Sequence, residues 1–179
     1  MKNLVFPIAL AALVCLFSAP AFAQHHDHEH GGHHMKADSA FASMITHYDA
    51  IHGALAGDTT KGISNHAKEI REIADATSKN FNAMMAGVSE ENAKALKDLL
   101  PEVGRAASKL ESAKDLSSAR EAFGELSQPL VRYRKMLTGE DTKVAYCPMV
   151  KKPWLQTAEK IENPYYGSSM LRCGSFVSE

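Results

Sequence analysis

Between residues 38 and 139, apolar side chains recur with the period of an amphipathic helix, and turn signals are few. Ser39 is placed to cap a first helix with the stripe Phe41, Met44, Tyr48, Ile51 and Leu55, which Gly57-Asp58 ends. Thr59 or Thr60 suits the cap of a second, with Ile63, His66, Ala67, Ile70, Ile73 and Ala74 on one side. Residues 78–89 read as a looser connection carrying Phe81 and the pair Met84-Met85, whose flexible thioethers suit gap-filling in a core. Ser89 followed by Glu90 and Glu91 opens a third helix bearing Leu96, Leu99, Leu100, Val103, Ala107 and Leu110. Pro101 falls inside it and predicts a kink or a break. Asp115 or Ser117 opens a fourth, with Ala119, Phe123, Leu126, Leu130, Tyr133 and Leu137; Pro129 predicts a bend and Gly139 a stop. The fold class this pattern predicts is all-α. An up-down four-helix bundle over residues 38–139 is followed by an irregular C-terminal segment, residues 140–179, packed upon it.

The chain's start has a different pattern. Residues 1–23 carry Lys2, an apolar run from Leu4 to Phe17, and Ala21-Phe22-Ala23. This is the layout of a secretory signal cut after Ala23, with the run too short for a membrane span. Val14 precedes Cys15 where a lipid-anchor signal wants a small residue. The expectation is a periplasmic protein with no membrane span in the mature chain, leaving Cys147 and Cys173 in an oxidising compartment.

Residues 24–37 hold six of the nine histidines: His25, His26, His28, His30, His33 and His34. With Asp27 and Glu29 among them and almost nothing apolar, this tract cannot build a core and is expected to be disordered. Neutral imidazole binds Cu(II), Ni(II) and Zn(II), so the tract is a candidate for metal capture. In the bundle, His47 and His52 lie five apart and point about 140° away from one another on an ideal helix. His52 and His66 flank the Gly57-Asp58 turn and are expected at one level of a helical hairpin. Either they form a two-histidine metal site, or they are two partly buried, hydrogen-bonded rings.

Beyond Gly139 helical periodicity stops. The single Trp, three of the five Tyr and both remaining Cys collect there, interrupted by Pro148, Pro153 and Pro164. Tyr146, Trp154, Tyr165 and Tyr166 are expected to anchor the segment, and Asn163-Pro164-Tyr165-Tyr166-Gly167 reads as a tight turn. That turn would return Met170 and Cys173 toward Cys147 and Met149. Two thiolates and two thioethers are soft donors suited to Cu(I) or Ag(I), whereas Zn(II) wants more imidazole or thiolate. The alternative is a Cys147–Cys173 disulfide, worth about 3.5 kcal/mol on the chain-entropy estimate. The two states can alternate with redox conditions.

Tyr146-Cys147-Pro148-Met149, then Trp154-Leu155, then Asn163-Pro164-Tyr165-Tyr166-Gly167 followed by Met170-Leu171 and Cys173-Gly174, resembles the end signature of an uncharacterised family of secreted bacterial helical domains. Tyr48, Ala54 to Asp58, and Asp115-Leu116 with Arg120, Phe123, Leu126 and Ser127 resemble its helical part. Members of that family also occur fused to periplasmic adaptor subunits of Cus-type copper/silver efflux systems. The resemblance implies heavy-metal handling and an efflux adaptor or pump as partner. Residues 101–110, PEVGRAASKL, lack the His-Glu-x-x-Met stretch associated with many members.

Composition narrows the function further. Lys and Arg total 20 against 21 Asp and Glu, which excludes the basic balance of a nucleic-acid binder. No Gly-rich phosphate loop, Gly-x-Ser-x-Gly, His-Glu-x-x-His or Cys-x-x-Cys is present, so no enzyme is expected. Two functions stay open: a periplasmic Cu/Ag-binding accessory protein that buffers metal or delivers it to an efflux system, and a disulfide-stabilised interaction module without metal.

Overall fold

The computed structural model describes residues 39–177, and the chain there is mostly helical. Four long helices, α1 (Ala40–Ala56), α2 (Ile63–Lys79), α4 (Glu90–Glu111) and α5 (Leu116–Lys135), are joined by short connections, with a single-turn α3 (Ala83–Ala86) between α2 and α4. α2 packs on α1 and α4, α4 on α5, and α5 on α1. The apolar stripes close inward: Phe41, Met44, Tyr48, Ile51, Leu55, Ile70, Leu96, Leu110, Phe123, Leu126, Leu130 and Tyr133 are all fully buried. Each such side chain removed from water stabilises the fold by roughly 1.5–3 kcal/mol.

Local chemistry sets the ends of these elements. Ser39 accepts from the Ala42 N–H at 3.1 Å and caps α1. Asp115 and Ser118 form a reciprocal capping box at the start of α5. The second helix begins later than Thr59 or Thr60 would set it. Gly62, at φ +81°, is its first cap residue, because Asp58 already turns the chain at φ +56° and residues 57–62 form a longer loop. α4 runs through Pro101 without a break. The hydrogen bond that Pro101 cannot make would have gone to the carbonyl of Lys97, and both residues lie on the solvent face. Met84 and Met85 are exposed, not core: the one turn of α3 buries Ala83 and Ala86 instead, and Tyr133 donates to the Ala86 carbonyl at 2.7 Å.

The C-terminal segment departs from the expected irregular tail. It forms a three-stranded antiparallel sheet with β1 (Lys143–Cys147) at the centre, β2 (Lys152–Gln156) on one side and β3 (Ser175–Phe176) on the other. Val144 opposes Leu155, Ala145 opposes Trp154 and Phe176, and Cys147 opposes Lys152. Short strands with two prolines nearby give little alternation to read; here tertiary packing decides, because β2 lies against α5. Trp154 and Leu155 are fully buried, and Gly124 on α5 leaves room for the Lys152 stem, which an added Cβ would meet at 2.6 Å. Tyr48 joins three elements. Its hydroxyl lies 2.6 Å from Ser127 Oγ on α5 and accepts from the Leu155 N–H of β2 at 3.2 Å. Arg134, at the end of α5, donates to the carbonyls of Thr142 and Glu140 and so fixes the entry to β1.

Among the described residues no helix is long and apolar enough to cross a membrane.

Candidate functional site

Both cysteines of the C-terminal segment are free thiols, and they meet. Cys147 ends β1 and is fully buried; Cys173 precedes β3 and is half-buried. Three pieces of chain build the meeting point. The first is the turn of residues 148–151, whose Lys151 adopts φ +55°. It folds back tightly enough that the N–H groups of Val150 and Met149 donate to the Cys147 sulfur. The second is Asn163, fully buried in the 157–166 loop. Its Nδ2 donates to the Cys173 carbonyl at 2.6 Å, its side chain hydrogen-bonds the Cys147 sulfur, and its Oδ1 accepts from Tyr165 N at 2.8 Å and Tyr166 N at 3.3 Å. The third is Gly174, at φ +133°, where an added Cβ would lie 2.6 Å from the Trp154 ring and 2.9 Å from the Tyr146 carbonyl. Only glycine lets the chain pass there and place Cys173 beside Cys147.

The electrostatics divide the two sulfurs. Burial pushes the Cys147 thiol up, but the two backbone N–H groups, the Asn163 amide and the Cys173 thiol together outweigh it and hold Cys147 below an ordinary thiol. Burial pushes Cys173 up, and the charge and hydrogen bond of Cys147 push it further. Cys147 is thus the more acidic of the two thiols and Cys173 the less acidic.

Surrounding contacts lock this arrangement to the helices. Tyr165 donates to the Pro153 carbonyl at 2.5 Å and sets its ring edge-on to Trp154, centroids 6.0 Å apart. Gln156 accepts from Trp154 Nε1 at 3.1 Å and from Glu162 N at 3.1 Å, holding the 157–162 loop. At the far side, Arg120 on α5 donates to the carbonyls of Pro164 and Leu55 and to Asp58. Asp58 in turn accepts from the N–H and hydroxyl of Ser168. An added Cβ at Gly167, φ +55°, would strike Asp58 and Arg120, so the chain comes close to this ion pair only because residue 167 is glycine.

Met149 and Met170 are exposed, two residues after Cys147 and three before Cys173. Tyr146, expected as an anchor, is also exposed, because it opposes Pro153 and Ser175 on the outward face of β1. His52 and His66 do not meet. His52 turns toward α5 and the C-terminal segment, buried 6.4 Å from the Phe123 ring centroid, with Nε2 2.7 Å from the Glu162 carbonyl. His66 faces His47 instead, Nδ1 to Nδ1 at 3.1 Å. Direction around α1 decides this: His47 and His52 point to opposite sides, and only His47 points at α2. His25, His26, His28, His30, His33 and His34, with the proposed signal segment 1–23, lie outside the described residues. Among the described residues, no group of three or more His, Cys, Asp or Glu is placed to hold a metal ion.

Asn163 was visible in sequence only as part of a turn; nothing in its spacing marked it as the link between the two cysteines. The spacing of His47 from His52 rules out that pair, and no local signal links His47 to His66, nineteen positions on.

The fold and site together define a mostly helical domain that carries a thiol pair on a small C-terminal sheet. Residues 44–141 match the family described as "Protein of unknown function (DUF3347)", and the chain belongs to that family. The match spans α1 to α5 and stops two residues before β1, so the thiol pair lies outside it. No curated protein and no solved structure matches the chain.

Proposed function

We propose that this is a periplasmic accessory protein that binds a soft monovalent metal, Cu(I) or Ag(I), and buffers it or delivers it to an efflux system. The observation that carries the reading is the meeting of Cys147 and Cys173, with backbone N–H groups and Asn163 aimed at the Cys147 sulfur. Two thiolates suffice for a monovalent coinage metal, which accepts two-coordinate sulfur sites; tetrahedral Zn(II) wants further donors, and among the described residues no third His, Cys, Asp or Glu joins them in a metal-binding group. Cys147 and Cys173 would hold the ion as thiolates, and binding would displace whatever protons their sulfurs carry. Met149 and Met170 are the thioethers nearest in sequence and suit transient capture at the surface. The histidine tract would collect Cu(II), Ni(II) or Zn(II). The efflux adaptor as partner rests on the resemblance of the C-terminal signature to domains fused to such adaptors.

The test is an anaerobic Cu(I) titration of the reduced full chain, with the six tract histidines replaced by Gln, against a chromophoric Cu(I) chelator. The expected result is one equivalent withdrawn from the chelator, abolished by Cys147→Ser and by Cys173→Ser. Failure of the parent to withdraw copper overturns the reading.

A second reading draws on the same adjacency: oxidation would join the two sulfurs and make the segment a disulfide-stapled docking surface without metal. Non-reducing mass spectrometry of the protein taken from copper-stressed cells separates the two. Quantitative loss of two hydrogens favours the staple.

A further inference from the structure

His47 on α1 and His66 on α2 present Nδ1 to Nδ1 at 3.1 Å, with ring centroids 5.4 Å apart and ring planes inclined by 43°. One of these nitrogens must carry a hydrogen and the other a lone pair, so the contact is a single N–H···N hydrogen bond. Both rings are half-buried, each on a helix of 17 residues, and the two helices pack directly on one another. The helices that carry them are anchored in the core: Tyr48 and Ile51 on α1 and Ile63, Ala67 and Ile70 on α2 are buried. At a metal–nitrogen length of about 2.0–2.1 Å, a nitrogen pair 3.1 Å apart subtends roughly 100° at an ion between them. That is the angle of two adjacent ligands in a square-planar or octahedral ion, and close to that in a tetrahedral one.

We propose that His47 and His66 form a divalent-metal site, taking an ion of the Cu(II), Ni(II) or Zn(II) class through both Nδ1 atoms. On binding, the hydrogen leaves the donor Nδ1: it moves to Nε2 if that ring is neutral and passes to water if that ring is an imidazolium. Gly62 lies beside the other edge of the His66 ring, where an added Cβ would be in ordinary contact, 3.6 Å from Cδ2 and 3.8 Å from Nε2. Partial exposure leaves water to complete the coordination shell. The site is separate in chemistry and place from the thiol pair: hard-to-borderline nitrogen donors on the helices, soft sulfur on the sheet.

The experiment uses the full chain with the six tract histidines replaced by Gln and Cys147 and Cys173 replaced by Ser, so that other strong donors are gone. Cu(II), buffered by glycine, is titrated and followed by its visible absorption and by electron paramagnetic resonance. One equivalent with a two-nitrogen signature is expected. His47→Gln and His66→Gln should each weaken binding by on the order of a hundredfold, the gain that a second tethered ligand supplies. His52→Gln should leave binding unchanged, since His52 is engaged by the Glu162 carbonyl. Thermal unfolding of each variant without metal separates lost ligation from lost fold. Absence of a bound equivalent in the parent, or affinity in His47→Gln and His66→Gln equal to the parent's, overturns the proposal and leaves the contact as a hydrogen bond only.

Discussion

Replacing Tyr48 with Phe removes one oxygen from the point where α1, α5 and β2 meet. The direction of each hydrogen bond there is determined. Ser127 Oγ spends its only hydrogen on the Phe123 carbonyl at 2.8 Å, so Tyr48 donates to Ser127 and accepts from the Leu155 N–H. Tyr48, Ser127 and Leu155 are all fully buried, so no water replaces the lost partner. Stranding the Leu155 N–H costs about 1–3 kcal/mol, and the lost donation to Ser127 about 1 kcal/mol more. The sum, about 2–4 kcal/mol, corresponds to a fall in thermal midpoint of about 5–15 °C for a domain of this size. The assay is urea unfolding followed by Trp154 fluorescence, with Ser127→Ala and the double variant completing a cycle. A coupling of about 1 kcal/mol between the two sites is expected. A Tyr48→Phe protein within about 0.5 kcal/mol of the parent, or strictly additive effects, would refute the claim that this hydroxyl holds the sheet to the helices.

Gly174→Ala forces a side chain into a positive-φ position against Trp154 and should destabilise the segment by at least about 1–3 kcal/mol while raising the alkylation rate of Cys173; an unchanged rate would count against the tight passage. The Ser168 hydroxyl, Arg120 and the Ser168 N–H hold the Asp58 carboxyl at about 2, against 3.8 in a free chain. Its contribution is therefore complete above pH 3.8 and disappears as pH falls toward 2. Protease cleavage of the 157–172 region should rise across that window in the parent, and Asp58→Asn should be nicked there at higher pH already. Burial pushes Tyr48, Tyr133 and Tyr165 above the ordinary value of 10.0, so the folded protein keeps protons that the unfolded chain loses. Stability should fall as pH rises past 10, by up to about 1.4 kcal/mol per pH unit for each tyrosine; a flat alkaline profile in urea titrations would contradict their burial.

The helices were legible because an apolar stripe at helical spacing reports directly on burial. Phe41, Met44, Tyr48, Ile51 and Leu55 were placed on one face by spacing, and all five are fully buried. Ser39 carries a side-chain cap signature, and of the two candidates Asp115 and Ser117 the structure uses Asp115; Gly62 has no such signature, because its role comes from backbone freedom within a loop. The sheet was not legible. Residues 143–156 contain Pro148 and Pro153 and too little alternation; β2 is held by its packing on α5, and β1 by its pairing with β2 and β3. The convergence of Cys147 and Cys173 was foreseeable from the turn between them; the geometry that enforces it was not. Asn163 reaches both through a buried amide, and that depends on three-dimensional approach alone. The same holds for His47 and His66, where the direction of a side chain around the helix outweighed its level along the axis.

The Tyr48 junction bears on where this protein can be cut. Were the polypeptide to stop at residue 141, the phenol would keep Ser127 but forfeit Leu155, and the groove on α5 that receives Trp154 and Leu155 would be laid bare. The stretch that a family comparison picks out is thus shorter than the piece that can stand alone, and an excised helical fragment should be sticky and poorly folded.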